Sequence, residues 1–254
     1  MRQLLSSAGI LLVLLLEGCS AIESMKASEE KSERIAKTHV ELGVGYLKQG
    51  KYKVALEKLK TAIEAEPGYS PGHSAIAIVY ERLEHYDKAD DHYLEAISLS
   101  PEDGGLYNNY GVFLCGQGKY LEAEEYFLKA VSTPRYKTPE LAYENAGACV
   151  RKVPKLKEAE EYLEKALKIN PKLPLALVNM AHIRFKQSNF LSTRGFLQRY
   201  EAVSQHSADS LWLGVLVERK LGNKSEAQRY AKLLQSNYPK SNEFKLLLNS
   251  QGEN

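Results

Sequence analysis

Cysteine, methionine and tryptophan are scarce in this chain of 254 residues, which holds three, three and one of them. Three cysteines are too few for a disulfide framework. The six histidines are scattered, and neither a His-Glu-x-x-His nor a Cys-x-x-Cys spacing occurs, so no zinc motif is written in the chain. A glycine-rich phosphate loop and a Gly-x-Ser-x-Gly elbow are also missing. Nor is one sign of charge in excess. With 34 basic and 32 acidic side chains the formal charge is +2, which gives no reason to expect a nucleic-acid partner. The one long apolar run, residues 10–16, is too short to span a bilayer comfortably as a permanent helix. No catalytic constellation, metal set or cofactor motif survives, and the expectation is a non-enzymatic binding protein. The neighbouring carboxylates Glu124 and Glu125, or Glu160 and Glu161, read as solvated helix faces.

What the chain does have is a repeat. Leu42, Gly43, Tyr46, Ala55, Leu59, Ala62 and Pro67 stand at positions 7, 8, 11, 20, 24, 27 and 32 of a unit starting at Ala36. A period of 34 residues later, the same positions hold Ile76, Ala77, Tyr80, Ala89, Tyr93, Ala96 and Pro101. Small residues at 8, 20 and 27 let two antiparallel helices approach closely, large ones at 7, 11 and 24 fill the space between them, and proline ends the second helix. The pattern resembles a tetratricopeptide repeat. Six units can be written, starting at Ala36, Ser70, Gly104, Glu140, Pro174 and Ala208. One step is longer, with two extra residues in the stretch 132–139. Units five and six depart from the pattern, with Thr193 and Tyr200, then Val215 and Leu234, at alanine or glycine positions, and larger side chains there should push the helices apart. The expected fold is all-α: a right-handed superhelix of six helix-turn-helix repeats over residues 36–239, with residues 240–254 forming a short capping helix and tail.

The first residues have a different character. Arg2 and an apolar core lead to Leu16-Glu17-Gly18-Cys19. This resembles the bacterial lipobox, with Glu17 a departure from its usual small or apolar residue. The resemblance implies a signal peptide over residues 1–18, a lipidated Cys19 as the new N-terminus, and, because Ser20 follows, an outer-membrane destination with the body in the periplasm. Residues 19–35 are polar; as sequence they read equally as a tether or as an extension of the first repeat helix.

In this repeat type the concave face is supplied by the first helix of each unit. A candidate groove there comprises Val40, Val44, Leu47, Ser74, Ile78, Asn108 and Val112, with a basic row at Lys48, Arg82, Lys152, Lys186 and Lys220. Apolar positions beside amides and cations are what a peptide-binding groove needs. His39 and His73 share position 4 and read as structural. Cys115 and Cys149 fall on the first helices of neighbouring units; one bridge between them is allowed, buried free thiols being the commoner outcome.

The stretch Asn108-Asn109-Tyr110-Gly111-Val112-Phe113-Leu114-Cys115, then Gly118-Lys119-Tyr120 and Tyr143-Glu144-Asn145-Ala146-Gly147-Ala148-Cys149, is more distinctive than the repeat consensus. With the lipobox and six repeats it resembles the type IV pilus biogenesis lipoprotein family called PilF or PilW. That resemblance implies a pilotin, an outer-membrane lipoprotein, expected to be monomeric, that helps the pilus secretin reach the outer membrane and form multimers. It implies no cofactor beyond covalent lipid on Cys19. The rival expectation is a repeat adaptor of another envelope machine, such as outer-membrane protein insertion or peptidoglycan synthesis.

Overall fold

The computed structural model describes residues 4–250, with side chains described from Met25 onward. Gly18, Cys19 and the rest of the lipobox therefore lie outside the described side chains. Every regular element among the described residues is an α-helix, and the helices fall into two compact units, divided after Glu102.

The first unit holds α1 (Leu4–Lys48), α2 (Tyr52–Ala65), α3 (Ser70–Arg82) and α4 (Tyr86–Leu99). The polar stretch before Ala36 is the earlier part of α1, as its lack of glycine and proline permits. Leu42, at a position expected to be packed, is 46% exposed, because α1 is the first helix of the array and packs chiefly against α2 and α3.

The second unit holds α5 (Gly104–Gly116), α6 (Tyr120–Ser132), α7 (Pro139–Val150), α8 (Leu156–Ile169), α9 (Pro174–Lys186), α10 (Phe190–Glu201), α11 (Ala208–Lys220), α12 (Lys224–Asn237) and the short α13 (Asn242–Asn249). Local chemistry sets these limits. Pro139 and Pro174 start their helices, where a missing N–H costs nothing. Asp103, Asn189, Ser207, Asn223 and Ser241 accept bonds from first-turn amides as N-caps. Between paired helices the chain turns through the left-handed region, at Gly50, Gly118 and Gly222 but also at Glu84 and Ser188. In the longer connection of residues 132–139, the Tyr136 ring folds back onto Gly104, where a β-carbon would lie 2.8 Å from it.

One steric rule recurs inside the repeats. A β-carbon on Gly43, Gly111 or Gly147 would come within 2.5–2.7 Å of Leu59, Phe127 or Leu163, sixteen residues on. Glycine is what lets the second helix lay its large residue against the first helix's backbone. The sixth repeat keeps this contact one residue early: a β-carbon on Gly214 would lie 2.7 Å from the Tyr230 ring. Val215 and Leu234, read as misfits in the sequence, pack with Leu211, Tyr230 and Leu247 in one buried cluster. In the fifth repeat Thr193 is fully buried and its hydroxyl donates to the Asn189 carbonyl at 2.9 Å, so the oversized residue is accommodated without an orphaned polar group. The cap α13 contributes Leu247 and Phe244 to the terminal cluster, while Leu246 and Leu248 of the same run face solvent.

Candidate partner-binding face

In the second unit, the first helices of three successive repeats line a concave pocket of about 370 Å³. Val112 of α5, Ala148 of α7 and Leu175 of α9 supply its apolar lining, with Val112 44% and Leu175 43% exposed. Uncovered side chains of this size on a concave surface make a docking face for an apolar group.

The polar lining is held in place by bonds that run from repeat to repeat. Asn145 Nδ2 donates to Asn108 Oδ1 at 3.0 Å, joining α7 to α5. Asn179 Nδ2 donates to the Leu175 carbonyl at 2.8 Å, which turns its oxygen toward Arg151, whose Nε donates to it at 2.7 Å. Arg151 makes no ion pair among the described residues, and burial pushes its pKa down, the sign of a cation poorly compensated by its surroundings. The carboxylate that favours its charge from a distance, Asp209, is engaged by His182 Nε2, which donates to it at 2.6 Å; that bond, ahead of the surrounding charges, holds Asp209 below the usual carboxylate range. The exposed Lys152 completes the polar side.

Cys115 and Cys149 also line the pocket, and they are joined by a disulfide with Cα atoms 5.9 Å apart. The sequence allowed a bridge and favoured buried free thiols, because a bridge needs both side chains to turn toward each other. In the fold they do turn toward each other, and the Cα separation falls in the range a disulfide spans.

Other expected site residues stand differently. Val40, Val44, Leu47 and Ile78 are half-buried in the first unit, where Val40 lies against Gly72 at the start of α3. Ser74 is corrected: only 7% exposed, it belongs to the packing of α3 and offers nothing to a partner. Of the basic row, Lys48, Arg82, Lys186 and Lys220 are each the last residue of a first helix and are exposed. There a cation complements the helix dipole, which explains the row without a ligand.

Three carboxylates are also corrected. Glu124 is buried, where it accepts from Lys155 Nζ at 2.7 Å and from Tyr162 Oη at 2.9 Å, so it ties α6 to α8 instead of facing water. Burial first, and then Glu124, pushes the Tyr162 hydroxyl up to about 12. Glu160 pairs with Arg184 at 2.5 Å and accepts from Gln187 at 2.6 Å, tying α8 to α9. Glu144, at the repeat position that Ser74 and Asn108 hold in their units and so expected on the concave face, is buried and accepts from the Ala176 amide at 2.7 Å, capping α9 from the preceding repeat. Burial raises its pKa, and the amides of Ala176 and Leu175 offset part of the rise. The period alone could not reveal this, since the acceptor role depends on where the next repeat begins.

Tetratricopeptide-repeat family models match residues 73–103, 92–125, 154–173 and 209–241. The chain is 28% identical over 236 residues to the type IV pilus assembly protein PilF of Pseudomonas aeruginosa, covering 92% of this chain and 94% of that one. A solved structure of Pseudomonas aeruginosa PilF superposes with a TM-score of 0.80 at 27% identity, over 87% of this chain and 99% of that one. The crystal structure of PilW, described as a widely conserved type IV pilus biogenesis factor, superposes with a TM-score of 0.76 at 30% identity, over 84% of this chain and 98% of its own. An uncharacterized protein of Haemophilus influenzae is 32% identical over 60% of this chain and 86% of its own length. Taken with the stacked helix pairs, these likenesses place the chain in the PilF/PilW family of tetratricopeptide-repeat proteins of type IV pilus biogenesis.

Proposed function

We propose that this chain is a non-enzymatic pilotin: a lipoprotein anchored through Cys19 at the periplasmic face of the outer membrane, which captures a segment of the type IV pilus secretin and promotes its multimerisation there. The observation that carries the reading is the concave pocket of the second unit, where uncovered Val112 and Leu175 stand beside Arg151, a half-buried guanidinium bonded, among the described residues, to an amide oxygen and to no carboxylate. An apolar side chain of the partner fits the first part. A carboxylate close to it in the partner's sequence fits the second, since a charged pair made in a partly desolvated site gains more than one made in water. The docking face is thus centred on repeats three to five, further along the chain than the Val44 and Ile78 positions that the period singles out.

Substitutions test the two parts separately. Val112→Asp and Ala148→Asp put a charge where the apolar group docks and are expected to reduce secretin multimers on a semi-native gel while circular dichroism stays unchanged. Ile78→Asp, in the first unit, is expected to reduce them less. Unchanged multimers in both second-unit variants would sink the pocket reading. Cys19→Ala is expected to leave binding intact in a pull-down and to misplace the secretin. Recovery of an insertase or a peptidoglycan synthase, with no secretin, would point to a different envelope machine.

A further inference from the structure

His73 and His92 meet edge to edge in the second repeat, within the first unit. The Nδ1 atoms are 3.1 Å apart, one from α3 and one from α4. His73 Nε2 lies 3.1 Å from the Pro67 carbonyl, and a carbonyl can only accept. The ring proton of neutral His73 is therefore on Nε2, and its Nδ1 presents a lone pair toward His92. The His92 ring also stacks on Tyr80 at 5.6 Å between centroids, and the Lys88 ammonium lies 5.5 Å from the centroid of that tyrosine.

We infer that this pair is a binding site for a divalent transition-metal ion of the zinc, nickel or copper class, held by the two Nδ1 atoms. Imidazole nitrogens bind such ions at about 2.0–2.1 Å. Two donors 3.1 Å apart then subtend roughly 100° at the metal, between the octahedral and tetrahedral values. A bond from the second ring nitrogen to a backbone carbonyl is the arrangement that fixes a metal-binding histidine in its ligating tautomer, and His73 already has it. On binding, the metal replaces the proton shared between the two Nδ1 atoms, and that proton passes to Nε2 of His92, leaving both rings neutral. Burial and the nearness of His73 hold His92 below the ordinary histidine range, which favours the neutral ring. Asp91 and Glu95 favour a cation beside it and Lys60 opposes one. No cluster of three or more metal-ligating side chains occurs among the described residues, so water completes the coordination. The consequence is a metal clip between the two helices of one repeat, which stabilises the folded state by mass action.

Calorimetric titration of the untagged full-length protein with Zn2+ and with Ni2+ tests this, with Mg2+ as the hard-cation control. One saturable site is expected for Zn2+ and Ni2+ and none for Mg2+. Either His73→Ala or His92→Ala should weaken binding at least tenfold, and His85→Ala and His206→Ala should leave it unchanged. Imidazole nitrogen spectra of the wild type provide a readout that needs no variant: Zn2+ should move the Nδ1 resonances of His73 and His92 together. Absence of saturable binding, binding indifferent to both alanine variants, or zinc-induced shifts confined to other histidines would each overturn the inference.

Discussion

Glu144 shows how one residue can carry a load that its position in a period does not announce. Its carboxylate caps the next repeat's helix, so Glu144→Ala is expected to cost about 1–2 kcal/mol in urea unfolding, the usual loss for a helix cap. Glu144→Gln keeps an acceptor oxygen and should cost far less. The two also differ in pH dependence. A carboxyl whose folded pKa is raised favours the fold while protonated, a contribution fully present below the unfolded value of 4.5 and lost as pH rises through the folded value. Relative to Glu144→Gln, the wild type should therefore lose stability as pH is raised above 4.5. A difference that is flat or rises with pH would contradict the burial argument. Residue types were legible at this scale, and partners were not: Glu124 and Glu160 read as solvated charge and Glu144 as a concave-face position, yet each pairs with a group 24–38 residues away. Composition and period carry no information on such pairs.

At the scale of the helix pair, the sequence was read most fully where glycine or alanine and a large residue recur at fixed spacing. The sixth repeat looked irregular because the spacing was sought at fixed positions. Its glycine and its large residue are still sixteen apart, displaced together by one, and backbone contact depends on the difference between them and not on the count from a repeat's start. Gly214→Ala should accordingly destabilise by about 1–3 kcal/mol, since the new methyl meets the Tyr230 ring. Gly45→Ala is the control. It also lies inside a helix, has nothing within 4 Å of the added atom, and should be neutral or stabilising by up to about 1 kcal/mol. Thermal unfolding of both variants checks the pair. If the two alanines behave alike, close approach at Gly214 is not what that glycine is for.

For the molecule as a whole, the disulfide links repeats three and four across a separation of 34 residues. Closing a loop of that length removes conformational freedom from the unfolded chain, for which the chain-entropy relation gives about 3–4 kcal/mol. Cys115→Ala with Cys149→Ala, or reduction, should lower the stability of the second unit by something approaching that amount. The first unit, residues 1–102, contains neither cysteine, and hydrogen exchange there should change little. Because the same two sulfurs line the pocket, the reduced protein is also expected to bind its partner more weakly, and a pull-down in both redox states measures this. Equal stability and equal capture would remove the disulfide from any role in the docking face.

The sequence by itself determined the fold class, the helix pairing and the family. These rest on local rules, in which small and large residues at fixed spacing, glycine at turns and proline at starts act over a few tens of residues. The tertiary structure alone decided which of the repeated positions are open to solvent. Val112 and Ile78 hold the same position of their repeats, yet one is exposed and the other half-buried. Exposure depends on the side chains brought in by neighbouring repeats, and those are set by stacking and not by the period that every repeat shares.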